Sequence, residues 1–210
     1  MILNTILAIV IGYLLGSIPF AYIAARLKKG VDIRQIGGGN VGALNTIREV
    51  GVAVGLAALF ADIAKGLLAV LIAHWFGLSL IWVFVVGFAA VIGHNWPIFL
   101  KFKGGKGGAT TMGVLLALVP REFGIIFVII VLIVVVTSNA RLGMVIGFAF
   151  LPLIVWQFGG SGMLISYSLV LPLFVGIRSL AEMKRAAADS DSRKGFIFDR
   201  EYHFWQVKKK

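Results

Sequence analysis

Long apolar runs separated by short polar segments dominate the pattern of this chain. The runs cover Asn4–Leu27, Val50–Phe76, Ser79–Leu100, Thr110–Val119, Phe123–Thr137, Leu142–Phe158 and Met163–Ile177. A helix needs about 20 apolar residues to cross a bilayer, so most of these runs predict membrane-spanning helices. Thr110–Val119 is shorter than the rest, which predicts a half-helix or a strongly buried one. Pro19 lies inside the first run and predicts a kink there. Polar residues concentrate in Lys28–Glu49, in the segment before Thr110, and in a tail from Arg178 to Lys210.

Composition agrees with the pattern. The 210 residues are 60% hydrophobic and only 14% charged, far from the make-up of a soluble domain. The expected fold is an all-α integral membrane protein, a single bundle of about seven transmembrane helices. Residues 1–210 form one transmembrane domain, with 178–210 a cytoplasmic or interfacial tail. The first run has no Lys or Arg before Arg26 and no small-residue cleavage site, so it reads as a retained helix. There is no cysteine, which excludes disulfides, thiolate metal sites and thiol nucleophiles.

Charge sets the orientation. With seven spans, one side collects Arg26, Lys28, Lys29, Arg34 and Arg48, then Lys101, Lys103 and Lys106, then Arg141, then the basic tail. The other side receives only Arg121, and Lys65 lies within a span. Lys and Arg accumulate in cytoplasmic loops, which places the N-terminus outside and the C-terminus in the cytoplasm. The net charge of +11 therefore reads as orientation, with no nucleic-acid partner expected. The aromatic and basic tail FIFDREYHFWQVKKK suits a membrane surface and its lipids.

Two polar segments carry candidate chemistry. Gly93–Thr110 reads GHNWPIFLKFKGGKGGAT and holds His94, Lys106, Gly104, Gly105, Gly107 and Gly108. Glycine lets backbone N–H groups approach a ligand, and a helix N-terminus beyond them favours an anion. The Walker A spacing is absent, so the segment is read as a phosphate cradle outside the NTPases, or else as a flexible basic loop that fixes orientation. The second segment, IGGGNVGALNTIR, holds Gly39, Asn40, Asn45 and Arg48 before the second span. Asn40 is placed to cap a helix, and Asn45 and Arg48 share a helical face. Arg48 offers a fork that fits phosphate, the alternative being a snorkelling interfacial arginine. Asp62 and Lys65 sit at i,i+3 in mid-span and read as a neutralising structural pair, with Asp62 able to brace a loop from behind. His94 stands beside the lysine loop, where a neutral imidazole can orient or deprotonate a hydroxyl. His74 and His203 read as interfacial and tail residues, and the three histidines are too far apart to share a metal.

These motifs, GSIPFAY, IGGGNVGALNTIR, DIAKG and GHNWPIFLKFKGGKGGAT, occur in an order that resembles the bacterial acyl-phosphate:glycerol-3-phosphate acyltransferase family. The resemblance covers most of the chain. It implies a seven-helix, multi-pass enzyme of the bacterial inner membrane, acting on the cytoplasmic side. The implied reaction moves a fatty acyl group from acyl phosphate to glycerol 3-phosphate, giving lysophosphatidic acid, with no acyl-CoA, no cofactor and no bound metal. On that reading Lys106 and the Gly104–Gly108 amides bind one phosphate. Gly39, Asn40, Asn45 and Arg48 hold the other, and His94 orients the attacking hydroxyl or takes its proton, a substrate phosphate being the alternative base. An organic-phosphate transporter and a lipid-binding relative without turnover are the other classes that fit. The chain departs from the family pattern at Gly38 and Leu44, where serine and threonine are usual. It departs again at Arg141, Ser179 and Glu182, where serine, histidine and asparagine are usual.

Overall fold

Where the apolar runs are uninterrupted, the chain has no way to satisfy its backbone in lipid except as helix. The computed structural model describes residues 2–188, with side chains through Ser179. Its helices are α1 (Ile2–Ser17), α2 (Phe20–Lys29), α3 (Ala43–Glu49), α4 (Val52–Trp75), α5 (Leu80–Asn95), α6 (Gly108–Leu118), α7 (Pro120–Thr137), α8 (Ala140–Gln157) and α9 (Gly162–Ala188). The described residues hold no strand. Six segments are long and apolar enough to cross a bilayer, α1 and α2 together counting as one. The protein is an all-helical, multi-pass membrane protein.

The chain divides into two compact units, Met1–Leu118 and Val119–Lys210. In the first, α1 packs on α5 and α4, and α4 packs on α2, α3, α5 and α6. Small residues bring these helices together. A Cβ on Gly16 would collide with the Ala90 carbonyl, and one on Gly93 with the Tyr13 carbonyl, so α1 and α5 touch backbone to backbone. The same holds at Gly66 against Thr110 and at Gly113 against Ile63, where α4 meets α6. In the second unit α8 packs between α7 and α9.

Three expectations are refined. The kink at Pro19 is a full break: α1 ends at Ser17 and α2 begins at Phe20. The short fourth run is α6, whose 11 residues have Thr110–Leu115 wholly buried. At 1.5 Å per residue it reaches only about half the thickness of a bilayer. The last helix continues to Ala188, so the first part of the expected tail is helical; its sequence, SLAEMKRAAA, is rich in strong helix formers. The aromatic and basic segment after it, with His203, lies outside the described residues.

Candidate functional site

The site lies within the first unit and is built by two glycine-bearing loops. The first joins α2 to α3. Asp32 accepts from the Arg34 backbone N–H and from its guanidinium, with Oδ2 to Nη2 at 2.7 Å. This pairing holds the Asp32 carboxyl down to about 2, and raises Arg34 above its usual value. Arg34 also donates to the Leu100 carbonyl at 3.4 Å, tying this loop to the second one. Its guanidinium and that of Arg26 both lie over the Tyr22 ring, at 5.2 and 5.5 Å.

Asn45 is the hub of the first loop. Its Oδ1 accepts from the Gly38 N–H, and its Nδ2 donates to the carbonyls of Ile33, Ile36 and Asn40. The side chain is 6% exposed, so it shapes the loop and has no amide group left to offer a ligand in this arrangement. The expected cap is also different: Gly42 occupies the N-cap of α3, without a side-chain bond. Asn40 contributes its carbonyl to Asn45 and to the Gly42 N–H. Gly39 and Arg48 are exposed, Arg48 on the same short helix as Asn45.

The second loop joins α5 to α6. The Gly104 N–H donates to the Asn95 carbonyl, and the Gly105 N–H to the His94 carbonyl. These two amides therefore stitch the loop to the end of α5. The first-turn amides of α6, which begins at Gly108, have no partner within the helix. Gly107 turns the chain into that helix at φ +88°. Lys106 precedes it and is half-buried, whereas Lys101 and Lys103 are exposed.

The loops meet at Gly105. A Cβ there would strike both Nε2 of His94 and the Val41 carbonyl, so the residue is clamped between the imidazole and the first loop. His94 is 8% exposed, and its Nδ1 lies 3.5 Å from Asp62 Oδ1. Lys65 Nζ lies 2.7 Å from the same oxygen and donates to the Ile18 carbonyl at 2.9 Å, at the break in the first span. The Asp62–Lys65 pair expected from the i,i+3 spacing thus exists, and it adjoins the site. A cavity of about 10 Å³ separates the Ile18–Pro19 break from Asp62, His94 and Gly104. Among the described residues no group of His, Asp and Glu stands together at metal-binding spacing.

Sequence alone does not reveal the Asp62–His94 contact, the clasp from Arg34 to Leu100, or the part played by Asn95. Both amide atoms of Asn95 are buried and without a hydrogen bond, and its Oδ1 would lie 2.8 Å from a Cβ on Gly107. A polar residue beside His94 is the one signal available for it.

The arrangement sets two glycine-bearing basic loops beside a buried histidine at the end of an apolar helix. The model of the glycerol-3-phosphate acyltransferase family matches residues 6–189. The chain belongs to this family. It is 42% identical to glycerol-3-phosphate acyltransferase 1 of Dehalococcoides mccartyi over 92% of this chain and 96% of the relative. It is 39% identical to glycerol-3-phosphate acyltransferase 2 of Moorella thermoacetica over 90% of this chain and 97% of that one. Among solved structures it is similar to PlsY (YgiH), an integral membrane glycerol 3-phosphate acyltransferase, in its glycerol 3-phosphate form. The TM-score is 0.80 at 32% identity, over 88% of this chain and 92% of that chain. The lysophosphatidic acid form of that protein gives a TM-score of 0.78.

Proposed function

We propose that this protein transfers a fatty acyl group from acyl phosphate to glycerol 3-phosphate, forming lysophosphatidic acid at the cytoplasmic face of the bacterial inner membrane. The observation that carries the reading is the junction of the two glycine-bearing loops at Gly105, beside His94 and next to Lys106, in a chain of this family. Two phosphate-bearing substrates need two anion sites close together, and two basic loops in contact supply them.

An acyl phosphate is already activated, so no enzyme nucleophile is required. A glycerol hydroxyl oxygen attacks the acyl carbonyl carbon, the bond from that carbon to the phosphate oxygen breaks, and phosphate departs with the electron pair. His94 orients the hydroxyl or takes its proton, a substrate phosphate being the alternative base. Lys106, with Gly107, Gly108 and the first amides of α6, holds one phosphate and stabilises the charge that develops on it. Asn40 and Arg48, beside Gly39 on the open side of the first loop, hold the other; Asn45 keeps that loop in shape. Gly104 and Gly105 place the turn that carries Lys106.

Taking α6 with its flanking residues as the seventh crossing, orientation follows from the basic loops, with the N-terminus outside and the C-terminus in the cytoplasm. The single variants Ser79→Cys and Ser161→Cys should react with an impermeant thiol reagent on intact cells, and Asn139→Cys should not; the reverse pattern would refute the orientation. For the activity, purified folded protein is incubated with palmitoyl phosphate and glycerol 3-phosphate. Lysophosphatidic acid above the no-enzyme background is expected, and its absence would overturn the proposal.

A further inference from the structure

A line of polar contacts runs from the break in the first span to the second glycine loop. It begins at the break between α1 and α2, where the Ile18 carbonyl accepts from Lys65 Nζ at 2.9 Å and from the Phe20 N–H at 3.2 Å. Lys65 faces Asp62 Oδ1 at 2.7 Å, and the same oxygen lies 3.5 Å from His94 Nδ1. Opposite Nδ1, the Nε2 edge of the ring packs on Gly105 so closely that a Cβ there would collide. Gly105 is also bonded through its N–H to the His94 carbonyl, and Lys106 follows it directly.

Two physical points give this line a purpose. Asp62 and Lys65 are each 2% exposed, and a buried ion pair contributes little stability compared with apolar residues of similar size. Asp62 Oδ1 makes no strict hydrogen bond in this structure, yet a carboxylate can only accept, so at 3.5 Å it favours the imidazole form that carries its proton on Nδ1. That preference orients the ring whose other edge rests on Gly105.

We infer that Asp62 is a positioning residue for the acyl transfer: by holding the His94 ring it sets the Gly104–Gly105 turn that presents Lys106 to a substrate phosphate. This rests on the proposed function for the reaction served. It makes Lys65 the counter-charge that lets the carboxylate stay ionised between helices while closing the gap at Ile18.

The test uses the full chain in lipid nanodiscs. With ¹⁵N-labelled histidine, and with His94→Gln identifying the signal, His94 is expected to be protonated at Nδ1 in the wild type. Asp62→Asn should admit the form protonated at Nε2. In turnover with palmitoyl phosphate and glycerol 3-phosphate, folded Asp62→Asn should raise the KM of one phosphate substrate by roughly ten- to a hundredfold, as misplacement of a binding group does. The other substrate's KM should stay nearly unchanged, a selectivity that lost stability alone would not produce. Adding Asp62→Asn to His94→Gln should lose little more than His94→Gln alone. If Asp62→Asn does not accumulate, the paired variant Asp62→Asn/Lys65→Met, which strands no charge, is measured in its place. Wild-type protein that forms no lysophosphatidic acid would refute the proposed function, while the nitrogen signal would still judge the Asp62–His94 link. Wild-type His94 protonated at Nε2 alone, both KM values unchanged in the folded variant, or fully additive losses would each overturn the inference.

Discussion

The two compact units solve the same problem, a stable helix bundle in lipid, with different materials. In the first, Met1–Leu118, the interior holds Asp32, Asn45, Asp62, Lys65, His94 and Asn95, all buried. In the second, the buried polar side chains among the described residues are Ser138 and Ser168. Of the two, Ser168 donates back to a carbonyl of its own helix. Helices of the first unit touch backbone to backbone at several glycines; in the second, Gly143 and Gly147 bring α8 against Ile130 of α7, while Gly124, Gly162 and Gly176 have only open space where a Cβ would stand. Lipid offers no hydrophobic drive between helices, so close backbone approach and polar bonding must supply the association. The first unit uses both, and that is where a charged substrate can be held. The contrast predicts that substitutions in the first unit act on chemistry and packing, and that those in the second act on packing alone, weakly where a glycine faces open space.

The largest effect is expected at Lys106. Losing one partner of a desolvated ammonium–phosphate pair costs about 2–5 kcal/mol, or roughly one and a half to three and a half decades. Lys106→Ala should lower kcat/KM by that much without loss of folded protein. Lys106→Arg should recover only part, since a planar fork does not replace a point charge. Lys101→Ala, at an exposed position, should be nearly silent because its charge is hydrated and screened. Steady-state kinetics on the three variants decide it; equal small effects at Lys106 and Lys101 would reduce the loop to an orientation signal.

Next in size is Gly113→Ala. Its Cβ would meet the Ile63 carbonyl, a backbone atom that cannot swing away, so α6 must shift off α4. Forced overpacking of this kind costs about 1–3 kcal/mol. Denaturant titration in mixed micelles should show the loss. An unchanged midpoint would mean that the α4–α6 contact is not tight.

What the sequence can reveal follows the range of the interaction. The helices, the break at Pro19 and the Asp62–Lys65 pair are local: each depends on residues within one or two turns, so periodicity and spacing expose them. Lys106 and the glycines around it are legible for the same reason. The Asp62–His94 contact joins two helices, and the Arg34–Leu100 bond joins two loops; nothing in either segment marks the other as its partner. Internal bonding is hidden for the same reason. By their chemistry Asn45, Gly104 and Gly105 suit an anion, and only a tertiary structure shows that the fold itself also bonds those groups. Even the extent of α9 is obscured by hydropathy, which ends where lipid ends while helix propensity continues.

A smaller, pH-dependent effect tests the clasp between the loops. Arg34 holds the Asp32 carboxyl down to about 2, below its unfolded value near 3.8. A depressed carboxyl contributes stability that is present above the unfolded value and lost as pH falls through the folded one. Asp32→Asn should therefore lower the Tm at pH 7, and the gap to the wild type should close as pH falls from about 4 towards 2. Melting curves across that window check the sign; a gap that stays constant would assign the effect of the substitution to something other than the ionised pair.

The smallest effect, and the one with the opposite sign, belongs to the second unit. Gly124 lies in α7, is exposed, and has open space where a Cβ would go. Glycine within a helix sacrifices conformational entropy without return unless something close by requires its small size. Here nothing does, so Gly124→Ala should stabilise the protein by about 0.5–1 kcal/mol, chiefly by restricting the unfolded chain. Activity should not change, since the residue lies outside the unit that carries His94 and Lys106. Denaturant titration of Gly124→Ala beside Gly113→Ala makes the comparison direct: the same chemical change should raise one midpoint and lower the other. Loss of stability at Gly124 comparable to that at Gly113 would mean that the second unit is packed as tightly as the first, and the division of labour between them would have to be abandoned.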